Sequence, residues 1–295
     1  MDGKESRDIS GVIMAMELKG NPELADKVDF SGLTGENITD LLAECPEFAD
    51  KCDLAKLTGQ EWVWLVSRQH TLADRCPLDR LSSGELASVI AHSPETADRC
   101  DLSRLCGEDW VRVLKRQPQL YEACDAEKLS GKDLSELLIS RPEFADKFDL
   151  GIMNGYDWAA LLRKRPGICA KCDWNKLNGH NWSYLLAKRP EFLDKCDFGM
   201  LEGIDWVLLL IKKPHLAEKC DWYKLRGREW AILLGGRPEF ADKCCWNKLG
   251  GNAWATLLSV QPKFADKCSW DKLSDKDWSL VLENQPQLDS YRHNP

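Results

Sequence analysis

Pro190 to Lys213 reads PEFLDKCDFGMLEGIDWVLLLIKK, and Pro46 to Gln69 reads PEFADKCDLAKLTGQEWVWLVSRQ in the same register. Counting outward from these two stretches, units begin at Pro22, Pro46, His70, Pro94, Pro118, Pro142, Pro166, Pro190, Pro214, Pro238 and Pro262. A truncated unit follows from Pro286. The period is 24 residues without one insertion, so the chain reads as eleven tandem repeats over 22–285. Residues 1–21 form an N-terminal tail and capping half-repeat, and 286–295 a C-terminal partial repeat and tail. A short unit that cannot bury its own apolar face must stack on its neighbours, which is the sequence mark of a solenoid. No linker interrupts the register, so no internal domain boundary is expected.

Each repeat carries two helix signals. Positions 13 and 16 pair a capping residue with an acid: Thr58 with Glu61, Ser130 with Asp133, Asn154 with Asp157, Ser274 with Asp277. Side chains three apart can satisfy each other's free backbone donors, which starts a helix there. The W-x-x-L-L run then puts positions 17, 20 and 21 on one face. Arg68, Arg116, Lys164, Lys188 and Lys212 suit the negative C-terminal end of the helix dipole. The next Pro is placed to open a second, shorter helix, since its missing N–H is not needed at a first helical position. That segment, P-E-F-A-D-K-C, has room for two turns, and D-W-x-K-L after it reads as a 3-10 turn or loop with positions 9 and 12 inward. Gly11 to Asn21 matches only the second half of a repeat, with Met14 at the Trp position and Leu18 at the second Leu position.

The fold class that follows is all-α: a right-handed α/3-10 or α/α solenoid of eleven 24-residue repeats with an N-terminal half-repeat cap. A leucine-rich repeat with one strand per unit has a similar period, but positions 7 to 12 hold almost no Val, Ile or Thr and the L-x-x-L-x-L pattern is missing. In period and in its two-helix unit the chain resembles the leucine-rich repeat variant family, and more loosely HEAT-like solenoids. That resemblance implies units alternating an α-helix with a 3-10 helix in a right-handed superhelix. The Trp and Cys columns are not that family's pattern. No Cys cluster precedes Pro22 to match the iron-sulfur segment associated with some members, so no such function is carried over.

Composition limits the function classes. A net charge of -8 argues against non-specific attachment to nucleic acid or an anionic membrane, both of which need a basic surface. The first residues, MDGKESRDIS, lack the pattern of an export signal, and the longest apolar run, Trp206 to Ile211, is too short to span a bilayer. The 13 Cys are odd in number and mostly sit at one repeat position, which fits a reducing compartment, so a cytoplasmic location is expected.

Three columns resemble chemistry. Trp fills position 17 in eight repeats, and an aromatic ladder could stack bases or sugars. Ile38, Leu86 and Leu134 fill the same column, and only packing treats Trp, Ile and Leu alike. Each buried Trp removes about 150–250 Å² from water, roughly 4–6 kcal/mol before ordering entropy is subtracted. Cys fills position 7 in nine repeats, but stacked helices lie roughly 8–10 Å apart and a disulfide needs Cα atoms within about 7 Å. Val28 and Phe148 share that column, so its cysteines read as buried small hydrophobes. Cys169–Cys172 and Cys244–Cys245 lack the second ligand pair of a structural zinc site. Asp at positions 5 and 8 and Lys or Arg at positions 6 and 11 read as inter-repeat ion pairs and turn hydrogen bonds.

No nucleophile triad, phosphate loop or zinc-protease motif occurs, and the five His share no repeat position. No catalytic residue, cofactor or metal is expected, and the chain reads as a non-enzyme. What varies on a fixed frame is free to serve a ligand: positions 15, 19 and 22 lie on one face of the longer helix, off the core. The expected partner-binding residues there are Trp64, Tyr156, Tyr184, Ile204, Leu208, Ile211 and Ile232, unless the neighbouring turn simply covers them. The function this implies is a scaffold for protein–protein interaction. The alternative is a nucleic-acid-binding solenoid using the Lys and Arg columns, disfavoured by net acidity. No membrane partner is expected.

Overall fold

A computed structural model describes residues 11–293; the expected N-terminal tail, 1–10, and the last two residues lie outside them. Every described residue in regular structure is helical, and no strand occurs among them. The chain divides into two compact units after Ile152, although the 24-residue register runs on through that point. The N-terminal unit contains α1 (Gly11–Gly20), α2 (Gly35–Glu44), α3 (Gly59–Arg68), α4 (Ser83–His92), α5 (Gly107–Arg116) and α6 (Gly131–Ser140). The C-terminal unit contains α7 (Gly155–Lys164), α8 (Gly179–Leu186), α9 (Gly203–Lys212), α10 (Gly227–Gly236), α11 (Gly251–Val260), α12 (Asp275–Asn284) and the short α13 (Ser290–His293).

One repeat is an α-helix at positions 14–23, a 3-10 helix opened by Pro at position 1, and, in nearly every repeat, a second 3-10 turn at positions 9–11. Within each unit the α-helices pack on one another in sequence order, as in a solenoid. The expected capping boxes form: the backbone N–H groups of Thr58, Ser130, Asn154 and Ser274 donate to the acid three residues on at 2.6, 2.9, 2.9 and 3.0 Å. Position 8 caps the second turn, as where Asp101 accepts from the Ser103 N–H at 2.9 Å.

The core is the row of positions 17, 20 and 21. Leu41 with Leu42 through to Leu257 with Leu258 expose no surface, and Trp62, Trp110, Trp158, Trp182, Trp206, Trp230 and Trp254 at most 1%. The indole N–H groups of six of these, Trp206 and Trp230 among them, find no acceptor. The column therefore uses Trp for its area and not for its polar handle, in keeping with the Ile and Leu that replace it. At the N-terminal end Met14 and Leu18 of α1 are buried where later helices place Trp and Leu.

Two sets of hydrogen bonds join successive repeats, and neither is the ion pairing expected of the basic columns. The position 11 ammonium donates to backbone carbonyls at positions 10 and 12 of the preceding repeat: Lys56 to Ser31 and Leu33 at 2.7 and 2.8 Å, Lys248 to Tyr223 and Leu225 at 3.0 and 3.1 Å. The side chain at position 24 reaches a carbonyl at the end of the preceding α-helix, as from Gln69 to Ala43 at 2.6 Å and from Arg237 to Ile211 at 2.7 Å. Ion pairs between repeats form instead from position 6 to position 5 in the N-terminal unit: Lys51 with Asp26, Arg75 with Asp50, and Arg99 with Asp74.

The Gly at position 14 is fixed by close approach and not by backbone angle, since no described Gly has positive φ. A Cβ on Gly203 would stand 2.6 Å from the Lys224 carbonyl oxygen of the next repeat, and one on Gly35 2.8 Å from that of Lys56. The Cys column departs from its expected burial. Of its nine thiols only Cys76 is buried and the rest are half-buried. Position 7 is the extended residue that ends the first 3-10 helix, beyond the inward positions 3 and 4, so the thiol sits at the rim of the core. That is dry enough to push Cys196 and Cys220 up to about 12 by desolvation. The C-terminal partial repeat is tied to the one before it: Tyr291 stacks on Trp270 with ring centroids 4.8 Å apart.

Candidate functional site

Positions 15, 19, 22 and 23 of each α-helix lie together on the side away from the Trp-Leu-Leu row, spaced by three, four and seven residues. In the C-terminal unit this face is apolar in its middle. Tyr156 is 61% exposed, Tyr184 46%, and Ile204 and Leu208 each 43%. Ile211 and Ile232 are half-buried beside them. The capping boxes orient this face: by fixing where each helix starts, they set which side position 15 takes.

The aromatic members are held in place. Tyr156 of α7 packs against His180 of α8 with ring centroids 5.9 Å apart. The guanidinium of Arg163 lies 3.8 Å from the centroid of the Tyr184 ring. The Arg163 Nε is buried and has no hydrogen-bond partner. Ile211 of α9 lies beside Gly236 of α10, where a Cβ would stand 3.7 Å from its Cγ1 and 3.8 Å from its Cδ1. Apolar exposure continues beyond the expected residues at Val260, 59%, and Leu280, 37%. Leu280 stands in the same position 19 column as Leu208.

Trp64 belongs to the N-terminal unit and is a separate feature. Its ring, 38% exposed, carries Arg68 with the guanidinium 4.6 Å from the centroid. With Met16, Lys19, Asp40 and Glu44 it lines a groove of about 380 Å³ across α1, α2 and α3. The groove's charges are partly neutralised, since Lys19 and Glu44 pair at 2.5 Å.

The charge on this face was not anticipated. From α7 to α11 it carries Arg163, Lys164, Lys188, Lys212 and Arg228 at or near the helix ends and no acid at positions 15, 19, 22 or 23. In α12 it adds Lys276 and one acid, Glu283. Of the nearby acids at position 16, Asp157 and Asp205 are buried in capping boxes, Asp205 also lying 3.6 Å from His180 Nδ1, and Glu229 is half-buried in another. The signal in the sequence is the contrast between the halves of the chain, since the same positions carry Glu36, Asp40, Glu44, Glu108 and Glu136 in the N-terminal unit. Among the described residues no three His, Cys, Asp or Glu side chains converge as metal ligands, and no helix is long and apolar enough to cross a membrane. No family model, curated protein or solved structure matches the chain.

Proposed function

We propose that this chain is a non-enzymatic repeat scaffold that binds a protein partner through the variable face of its longer helices. The observation that carries the reading is the contiguous apolar exposure of Tyr156, Tyr184, Ile204 and Leu208 on three successive helices whose stacking does not need it. Exposed aromatic and aliphatic side chains on a rigid helical surface are what desolvated interface centres are made of. The alternation of α and 3-10 helix in each 24-residue repeat supports the resemblance to the leucine-rich repeat variant class. The nucleic-acid alternative called on the position 6 and 11 bases. Weighing against it, position 11 is committed to carbonyls of the preceding repeat, and position 6 in the N-terminal unit to carboxylates.

Leu208→Asp combined with Tyr184→Asp tests the reading, because both side chains are already partly in water. Helicity and melting should stay nearly unchanged, while a protein captured from lysate by the wild-type chain should be lost. Capture that persists in the double variant, or that disappears with nuclease, would overturn the assignment.

A further inference from the structure

We infer that the segment bound by the C-terminal unit is acidic as well as apolar: a peptide whose carboxylates lie along the ends of α7, α8 and α9 while its apolar side chains cover Leu208 and Ile211. This rests on the protein-binding reading above and adds the chemistry of the partner.

The argument is one of charge without partners. The chain as a whole carries -8. Random placement of its acids would leave some on any large face, yet none stands at positions 15, 19, 22 or 23 from α7 to α11. Arg163, Lys164, Lys188, Lys212 and Arg228 make no ion pair among the described residues. The bridges of this unit join Arg189, Lys195, Arg237, Lys243 and Arg292 to acids off this face, and on the face itself only His180 lies against an acid, Asp205. Complementing the helix dipole accounts for one base at each helix end. It does not account for Arg228, which stands in the first turn of α10, where a cation is unfavourable.

Arg163 adds an independent observation. Its guanidinium lies over the Tyr184 ring, 3.8 Å from the centroid, and makes no ion pair among the described residues. The ring fixes the cation at this face, and a carboxylate arriving beside Tyr184 would give its outer N–H groups the charged partner they lack. The apolar members choose between anionic partners. Ile204, Leu208, Ile211 and Ile232 offer aliphatic surface with no ring for a base to stack on. Both tyrosines already pack against neighbouring side chains. Aliphatic anchors inside a rim of unpaired cations fit an acidic, Leu- or Phe-bearing segment better than a nucleic-acid strand.

The test pans a displayed library of short random peptides on the full-length chain, with an oligothymidylate strand as a second probe. Recovered peptides should be rich in Asp and Glu beside Leu, Ile or Phe. Lys188→Gln/Lys212→Gln should weaken them on the order of tenfold and flatten their salt dependence. Peptides that bind through Leu208 without enrichment in acids, and ignore the Lys→Gln pair, would overturn the acidic partner and leave the protein-binding face standing. Failure to recover any peptide sensitive to Tyr184→Asp/Leu208→Asp would bring down both. Tighter binding of the oligothymidylate than of any recovered peptide would overturn the inference in favour of nucleic acid.

Discussion

The two units are built on one register but fill it differently. At position 17 the N-terminal unit alternates Ile38, Trp62, Leu86, Trp110 and Leu134, while the C-terminal unit has Trp at every turn from Trp158 to Trp278. At position 9 the first has Phe30, Leu54, Leu78, Leu102, Ala126 and Leu150, the second Trp174, Phe198, Trp222, Trp246 and Trp270. Where both positions are aromatic the rings stack: Trp174 on Trp182, Trp222 on Trp230 and Trp246 on Trp254, with centroids 5.4–5.5 Å apart and planes within 13°. Trp174, Trp222 and Trp246 each also meet a Phe of the following repeat, as Trp222 meets Phe240 at 5.5 Å, and Trp270 meets Tyr291, whereas the repeat after Phe198 offers Leu216. An aromatic seam, interrupted at Leu216, thus ties neighbouring repeats in the C-terminal unit, where the N-terminal unit has ring contacts only at Phe30–Phe48 and around Tyr121, Phe144 and Phe148 among the described residues and relies more on position 6 to position 5 ion pairs. Exposed pairs of that kind contribute about 0–1 kcal/mol each, against about 0.5–1.5 kcal/mol for an aromatic pair beyond its burial. The surfaces diverge in parallel. In α2, α5 and α6 the outer face carries Glu36, Asp40, Glu44, Glu108 and Glu136, whereas α7 to α11 carry no acid there. The more strongly tied frame bears the more apolar face, as a surface that must stay folded while exposing Leu208 requires.

The largest effect expected from this difference is at the column itself. Trp206→Ala should cost about 3–5 kcal/mol, since it leaves a cavity and strips Phe198 of its stacking partner. Leu86→Ala, in the same column of the N-terminal unit, should cost about 2–3 kcal/mol. Urea unfolding of the two variants checks this, and equal losses would mean that the seam adds nothing. A smaller effect is expected from Trp222→Leu, which gives the C-terminal unit the residue its counterpart uses. It should lose about 1–2 kcal/mol, through the contacts to Trp230 and Phe240. Near-ultraviolet circular dichroism should lose the coupling of the stacked pair while far-ultraviolet helicity holds. An unchanged aromatic spectrum would count against stacking in solution.

The frame was legible because its determinants are local. A capping pair three residues apart, a Pro at a helix start and a W-x-x-L-L spacing all lie within one repeat, and strict periodicity multiplies each signal. What escaped lies between repeats. Whether Lys248 meets a carboxylate or the Leu225 carbonyl depends on how far the next repeat is offset, which no single repeat encodes. Gly203 opens its helix within one repeat; that the Lys224 carbonyl would collide with a Cβ there is again a fact about the neighbour. The face was half legible. Its apolar members could be read from positions 15, 19 and 22, but the absence of acids is visible only when the two halves of the chain are compared. Cys was misjudged for a simpler reason: a column that tolerates Val28 and Phe148 is apolar, but apolar tolerance at a rim does not require full burial.

The smallest expected difference concerns those rim thiols. Desolvation raises Cys172, Cys196, Cys220, Cys244 and Cys268 of the C-terminal unit from 9.0 to about 12. In the N-terminal unit Cys76 and Cys124 reach about 12 and Cys52 about 11, and desolvation also raises Cys100 and, outside the column, Cys45, while Phe148 ends the column with nothing to ionise. A thiol that ionises more easily in the unfolded chain than in the fold leaves stability unaffected below the unfolded value. Stability then falls as pH rises from about 9 through the folded value near 12. Melting temperature should therefore decline over that window, somewhat more for the C-terminal unit, as followed by its stacked tryptophans. Cys196→Val/Cys220→Val keeps an apolar side chain in a column that already accepts Val28, so it should change stability at pH 7 by less than about 1 kcal/mol and make the alkaline decline shallower. A double variant that declines as steeply as the wild type would show that these two thiols carry none of the alkaline loss.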